Sequence, residues 1–301
     1  MRLVLKKIST LIGVASFLFL ATGCNTSDTD ERLLVTVSIP PQQWLVEKIG
    51  GERVKVNCLL NSGSDPENTE PSIHQMAELY KSALYFTLGG LPFEEALIER
   101  TQQNHSSLLV VNSAEGIELL EDECHGHHHE GEGHNHGHEG FDPHIWTSPE
   151  NCRIIAANIE RRLSELDPEG AEYYHSQFLK VDSVLENSNK RISSILDGCS
   201  NRTIMTWHPS LGYFARDYNL IQLSVQQEGK EVTPRQLANA IKEATKYKPS
   251  VLFYDVAQQG NETSLLESDL NLPVQPLRLM EKDFIPQLIL AAEALRDNQS
   301  K

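Results

Sequence analysis

The 301-residue sequence predicts an α/β protein of two lobes, each built on a parallel sheet, joined by a long helix. Three observations lead there. From Leu33 onward, short apolar runs alternate with amphipathic helical stretches, the pattern of parallel β/α units. Between residues 150 and 196 no strand candidate occurs, and apolar residues recur at helical spacing instead. A second β/α series then resumes and runs to the C-terminus. Two such lobes leave a cleft between them, and parallel sheets bind ligands beyond the carboxyl ends of their strands.

The chain opens with Arg2, Lys6 and Lys7 ahead of LIGVASFLFLATG, an apolar stretch too short to span a bilayer. This predicts a secretory signal over residues 1–23. Cys24 follows Ala21-Thr22-Gly23, as in a bacterial lipoprotein cleavage site, so its thiol is expected to carry lipid. The protein is then expected to be exported and anchored, facing the periplasm or the cell surface. The polar stretch after Cys24, to residue 32, reads as a tether.

The first lobe is expected over 33–149. Its strands are LLVTVSI, VKVNCLL, ALYFTLG and LLVV; its helices are QWLVEKIG, stopped at Gly50, and the stretches around HQMAELYKSA and FEEALIER. The lobe includes CHGHHHEGEGHNHGHEG at 124–140, which is too rich in Gly, His and Glu to bury a core and so reads as a loop. Linking helices follow over 150–198. Ile154, Ile155, Ile159 and Leu163 mark one helical face, and Asp167-Pro168 interrupts it. The restarted stretch, to residue 196, reaches roughly 40 Å at 1.5 Å per residue. The second lobe, 199–301, has strands RTIMTW, LIQLSV, VLFYDV and LPVQPL. Its helices are YFARDY, PRQLANAIKEATKY capped by Thr233, ETSLLESDL and IPQLILAAEALRD.

Composition narrows the function. A formal net charge of −16 makes nucleic acid and anionic membrane surfaces poor partners. After the signal, no segment is apolar enough over about 18 residues to span a bilayer. Cys58, Cys124, Cys152 and Cys199 define no pairing. There is no GxxxxGK[ST] loop for a nucleotide and no HExxH metalloprotease motif.

Metal-competent side chains gather at four places where strands end. These are Asp65, Glu67, Glu70 and His74 in GSDPENTEPSIH; Asp142 and His144 in FDPHIW; His208 in TWHPSLGYF; and Gln275 in PVQPL. Imidazole and carboxylate together suit Zn(II) or Mn(II) better than an alkaline-earth ion. Each place has a plainer reading. A histidine after a strand is often a hydrogen-bonded packing residue, and acids in a Gly/Pro/Asn-rich loop are usually just solvated. Seven of the twelve histidines (His125, His127, His128, His129, His134, His136 and His138) crowd the 124–140 loop. Imidazoles on a flexible tether chelate in shifting combinations, and ordering the loop costs entropy each time, so weak accessory sites are expected there.

Taken together and in order, IPPQQWLVEKIGGERVKV, GSDPENTEPS, FDPHIWTSPEN, HPSLGYF and QQEGKEVTPRQL resemble the zinc/manganese solute-binding lipoproteins of ABC-type metal importers. The resemblance runs from Leu33 to the C-terminus. It implies two Rossmann-like lobes bridged by a rigid helix, with the metal in the interlobe cleft. It also implies no catalysis, a permease and its ATPase as partners, and a monomer. Carried over by position, His144 and His208 match family ligands. Glu67 stands where a histidine is usual, with His74 as its rival, and Gln275 stands where a carboxylate is usual, leaving its carbonyl or water to complete the site. Glu228 of QQEGK matches a motif beside the cleft and is expected to support a ligand. Zn(II) is the expected cargo, with Mn(II) as the alternative. A metal-dependent hydrolase and a surface adhesin are the rival functions.

Overall fold

The computed structural model describes residues 32–104, 108–121, 140–226, 232–256 and 272–299. The signal segment, Cys24, the histidines from His125 to His138, Cys124, Glu228 and the helix expected over 262–270 lie outside the described residues. The first sheet contains β1 (Leu33–Val37), β2 (Val54–Cys58), β3 (Leu84–Thr87) and β4 (Leu109–Asn112), in the order β2-β1-β3-β4. The second contains β5 (Thr203–Thr206), β6 (Ile221–Ser224), β7 (Leu252–Asp255) and β8 (Val274–Leu277), in the order β6-β5-β7-β8. Every pairing is parallel. All four residues of β3 and of β5 are buried, as expected where helices cover both faces of a sheet.

Both sheets switch winding direction at one place. The chain steps from β1 out to β2 and returns to the far side of β1 as β3; β5, β6 and β7 repeat the move. The crevices beyond β1/β3 and β5/β7 are therefore the places where this topology accepts ligands.

Helix α1 (Pro40–Gly50) starts three residues before the sequence expectation, because Pro40 and Pro41 occupy its first turn, where a missing N–H leaves no helical bond unmade. Helix α2 (Ile73–Leu79) is shorter than the apolar pattern implies, and a capping box between Ser72 and Gln75 sets its start. Helix α3 (Pro92–Asn104) completes the first series. Helices α4 (Pro149–Leu166) and α5 (Ala171–Leu196) pack on each other across a 3-10 turn, Pro168–Gly170. The expected long helix thus loses its first three residues to that turn. Asp167 holds the turn, accepting from Arg53 Nε at 2.8 Å and from the Tyr174 hydroxyl at 2.7 Å.

The buried positions of α5, namely Tyr174, Val181, Leu185, Ser188, Ile192 and Leu196, form one stripe at helical spacing. Along it α5 packs on α1 beside the first sheet and on α8 (Ile285–Asp297) beside the second. Helices α6 (Gly212–Asp217) and α7 (Pro234–Tyr247) complete the second series, and Thr233 caps α7 as expected. Cys58, Cys152 and Cys199 are free thiols. Among the described residues no helix is long and apolar enough to cross a membrane.

Candidate metal site

Two turns of the same design present two of the candidate ligands. In Asp65-Pro66-Glu67 the Asp65 carboxylate accepts the Glu67 N–H at 2.9 Å. In Asp142-Pro143-His144 the Asp142 carboxylate accepts the His144 N–H at 2.8 Å. An Asp side chain that bonds the backbone two residues on stiffens the loop, and the intervening proline fixes φ. The second turn goes further, because Asp142 Oδ1 also lies 2.8 Å from His144 Nδ1. With Nδ1 so engaged, the ring turns Nε2 toward the cleft, the arrangement in which a carboxylate orients a ligating imidazole.

Behind His144 the chain is locked. Thr147 donates to the His144 carbonyl at 2.8 Å, and the Trp146 indole N–H reaches the Leu279 carbonyl at 3.1 Å. His208 arrives differently. Strand β5 continues its ladder to Trp207, whose N–H donates to the Phe253 carbonyl at 2.8 Å, and His208 follows at the β5/β7 crevice.

Glu67, His144 and His208 converge, with one donor atom from each lying within 4.8 Å of the others. Glu67 Oε1 is 3.1 Å from His208 Nε2 and 3.7 Å from His144 Nε2. Donors about 2.1 Å from a tetrahedral ion sit roughly 3.4 Å apart, so these separations bracket what one ion requires. The two imidazole centroids are 5.1 Å apart. Both rings are almost fully buried, at 3% exposure for His144 and 4% for His208. A packing histidine usually satisfies both ring nitrogens, whereas His208 Nδ1 is buried without a hydrogen-bond partner and Nε2 faces the acid.

The electrostatics favour charge on both sides of the pair. Burial pushes the Glu67 carboxyl up, but the hydrogen bond from His208 and the two nearby imidazoles outweigh it, leaving its pKa below the ordinary 4.5. Burial pushes His144 down, yet its bond to Asp142 and the charges of Asp142, Glu67 and Asp255 leave its pKa above 6.5. A cation can replace the protons that these groups otherwise share.

The sequence also points to His74 and Gln275. His74 is exposed on the first turn of α2 and is not among the converging groups. Gln275 sits in β8 with its amide donating to the Pro276 carbonyl at 2.9 Å.

Two acids escaped the sequence reading. Asp255, the buried last residue of β7, ends a strand at the β5/β7 crevice, and that position was its only signal in the sequence. Glu94 is fully buried on α3 and fills the matching crevice of the first sheet. It accepts the Leu88 N–H at 2.8 Å, the Gly89 N–H at 2.7 Å and the Ser38 hydroxyl. With that crevice filled by a carboxylate, the candidate site is built on the loops beyond it. In the sequence Glu94 was hidden in an ordinary amphipathic helix.

A model of the family described as zinc-uptake complex component A, periplasmic (ZnuA), matches residues 35–284. The chain belongs to the ZnuA family. It is 23% identical over 287 residues to the high-affinity zinc uptake system protein ZnuA of Bacillus subtilis (strain 168), covering 92% of this chain and 89% of the other. A crystal structure of ZnuA superimposes with a TM-score of 0.79 at 30% identity, over 89% of this chain and all of that one. A ZnuA deletion mutant with zinc bound gives 0.78 at 30% identity, over 90% and 99% of the two chains. The two-lobed α/β architecture expected from the sequence is that of the ZnuA family. Membership in this family of uptake components sets aside the hydrolase reading.

Proposed function

We propose that this chain captures one divalent transition metal, Zn(II), between its lobes through Glu67, His144 and His208, and delivers it to a membrane permease whose ATPase drives import. The observation that carries this reading is the convergence of two buried imidazoles and a carboxylate from separate loops within 4.8 Å. A fourth position falls to the Gln275 carbonyl or to water. One nitrogen donor fewer than a three-histidine site makes Mn(II) the second reading, since carboxylate suits it better than imidazole does.

The histidines between 125 and 138 act in this scheme as weak, exchangeable collectors, and Glu228 as a support near the cleft. Cys24 carries the lipid that holds a monomer at the membrane, facing the periplasm or the cell surface. The lobes meet at the linking helices, 150–198.

Competition against a chromophoric chelator tests the proposal. The intact chain should bind one zinc tightly. His144→Ala or His208→Ala should each weaken binding by more than the roughly 10–100-fold that loss of a mere supporting partner costs. Deleting residues 125–138 should remove only additional weak sites. A deletion that abolishes the tight site while both alanine variants keep it would make the crowded loop the receptor instead.

A further inference from the structure

On either side of residues 122–139 the chain is drawn into a narrow neck. Glu121 and Phe141 form an antiparallel bridge, and the Asp142 N–H donates to the Leu120 carbonyl at 3.0 Å. A side chain from the second series completes this neck. Tyr213, fully buried on α6 and five residues beyond His208, donates its hydroxyl to the Asp142 carbonyl at 2.8 Å and accepts the Leu120 N–H at 3.2 Å. Gly212 lies so close that a Cβ there would fall 2.3 Å from Asp142 Oδ2, on the same carboxylate that holds His144. Arg216, one turn on, ties the same helix to the Glu118 carbonyl at 3.0 Å and to Asn151 at 3.1 Å.

We infer that Tyr213 is a positioning residue: its hydroxyl fixes the Asp142 main chain and, through the Asp142 carboxylate, holds the His144 ring with Nε2 facing the metal. The inference rests on the metal reading above. The hydroxyl has both of its bonds on this neck, one to each side of it. The bonds that orient His144 run from Tyr213 to the Asp142 carbonyl and from the Asp142 carboxylate to the His144 ring. The two histidines then form a preset half-site, one ring held by Asp142 and Tyr213, the other standing at the end of β5 just before α6. Glu67 approaches from a separate loop.

The test is Tyr213→Phe, read in two ways. In metal-free protein, at a pH high enough for His144 to be neutral, its ring 15N shifts should move from a single Nδ1–H tautomer toward a mixture. Zinc affinity should fall about tenfold, the scale of losing a partner that orients a ligand, and should fall no further when Tyr213→Phe is added to His144→Ala. Unchanged shifts with unchanged affinity would overturn the inference, as would an equal loss in the His144→Ala background. Gly212→Ala, which displaces the Asp142 carboxylate, should reproduce both effects and decides the matter if Tyr213→Phe does not fold. Wild-type protein that binds no zinc would refute the metal reading instead, and the 15N shifts of the metal-free chain tell the two failures apart.

Discussion

At the scale of single residues, the site joins two groups whose protonation is set against each other. His144 titrates above 6.5 and Glu67 below 4.5, and each owes part of its shift to the other. The raised His144 value stabilises the metal-free fold fully below 6.5, and that contribution is lost as pH rises through the folded value. The lowered Glu67 value stabilises it above 4.5 and is lost as pH falls through the folded value. The metal-free site therefore contributes most between these limits, where His144 carries the proton that zinc must displace. Zinc affinity should decline with acidification from a pH above 6.5, and binding should release protons, measurable by calorimetry in buffers of different ionisation enthalpy. Binding without proton release below pH 6.5 would mean that His144 is not a ligand. Glu67→His should tighten zinc relative to manganese, since it exchanges oxygen for nitrogen; competition between the two ions checks it.

At the scale of elements, strands and helices were readable because periodicity and burial agree. Helix Ile285–Asp297 and the start of α7 match their sequence signals residue for residue. Disagreements fall at ends, where local chemistry decides. Two prolines extend α1 forward, and Asp167 turns the first three residues of the long stretch into a 3-10 turn. Neither effect leaves a trace in hydrophobic spacing. Helix α5 is the element on which both series rest, and Leu185 is wholly buried near the middle of its stripe. Leu185→Ala should cost about 2–5 kcal/mol in denaturant unfolding while leaving zinc stoichiometry at one. Gly51 ends α1 at φ +52 with the Tyr173 hydroxyl 2.0 Å from where a Cβ would stand, so Gly51→Ala should destabilise the fold by about 1–3 kcal/mol in the same assay.

At the scale of the whole molecule, the two-lobed α/β fold was legible in the alternation of strands and helices, and His144 and His208 were candidates because each lies at a strand end or an Asp-Pro turn. As the partner of these imidazoles the sequence favoured Glu67, with His74 as the rival. Glu67 and His74 stand seven residues apart in one polar loop, and only the turn at Asp65 aims Glu67 inward while α2 carries His74 to the surface. Asp255 and Glu94 were missed for a related reason: burial at a crevice is a property of topology, not of any local motif. A metal that joins loops from both lobes should stabilise the fold by about 2.7 kcal/mol at a free concentration 100 times Kd. The accompanying rise in thermal midpoint should disappear in the His144→Ala/His208→Ala double variant.

The most direct test is an anomalous-difference map at the zinc edge from crystals of the zinc-loaded chain. A single strong peak bonded at about 2.0–2.2 Å to Glu67 Oε1, His144 Nε2 and a ring nitrogen of His208 is the predicted result. A strong peak elsewhere, with these three side chains still packed only against one another, would contradict the account.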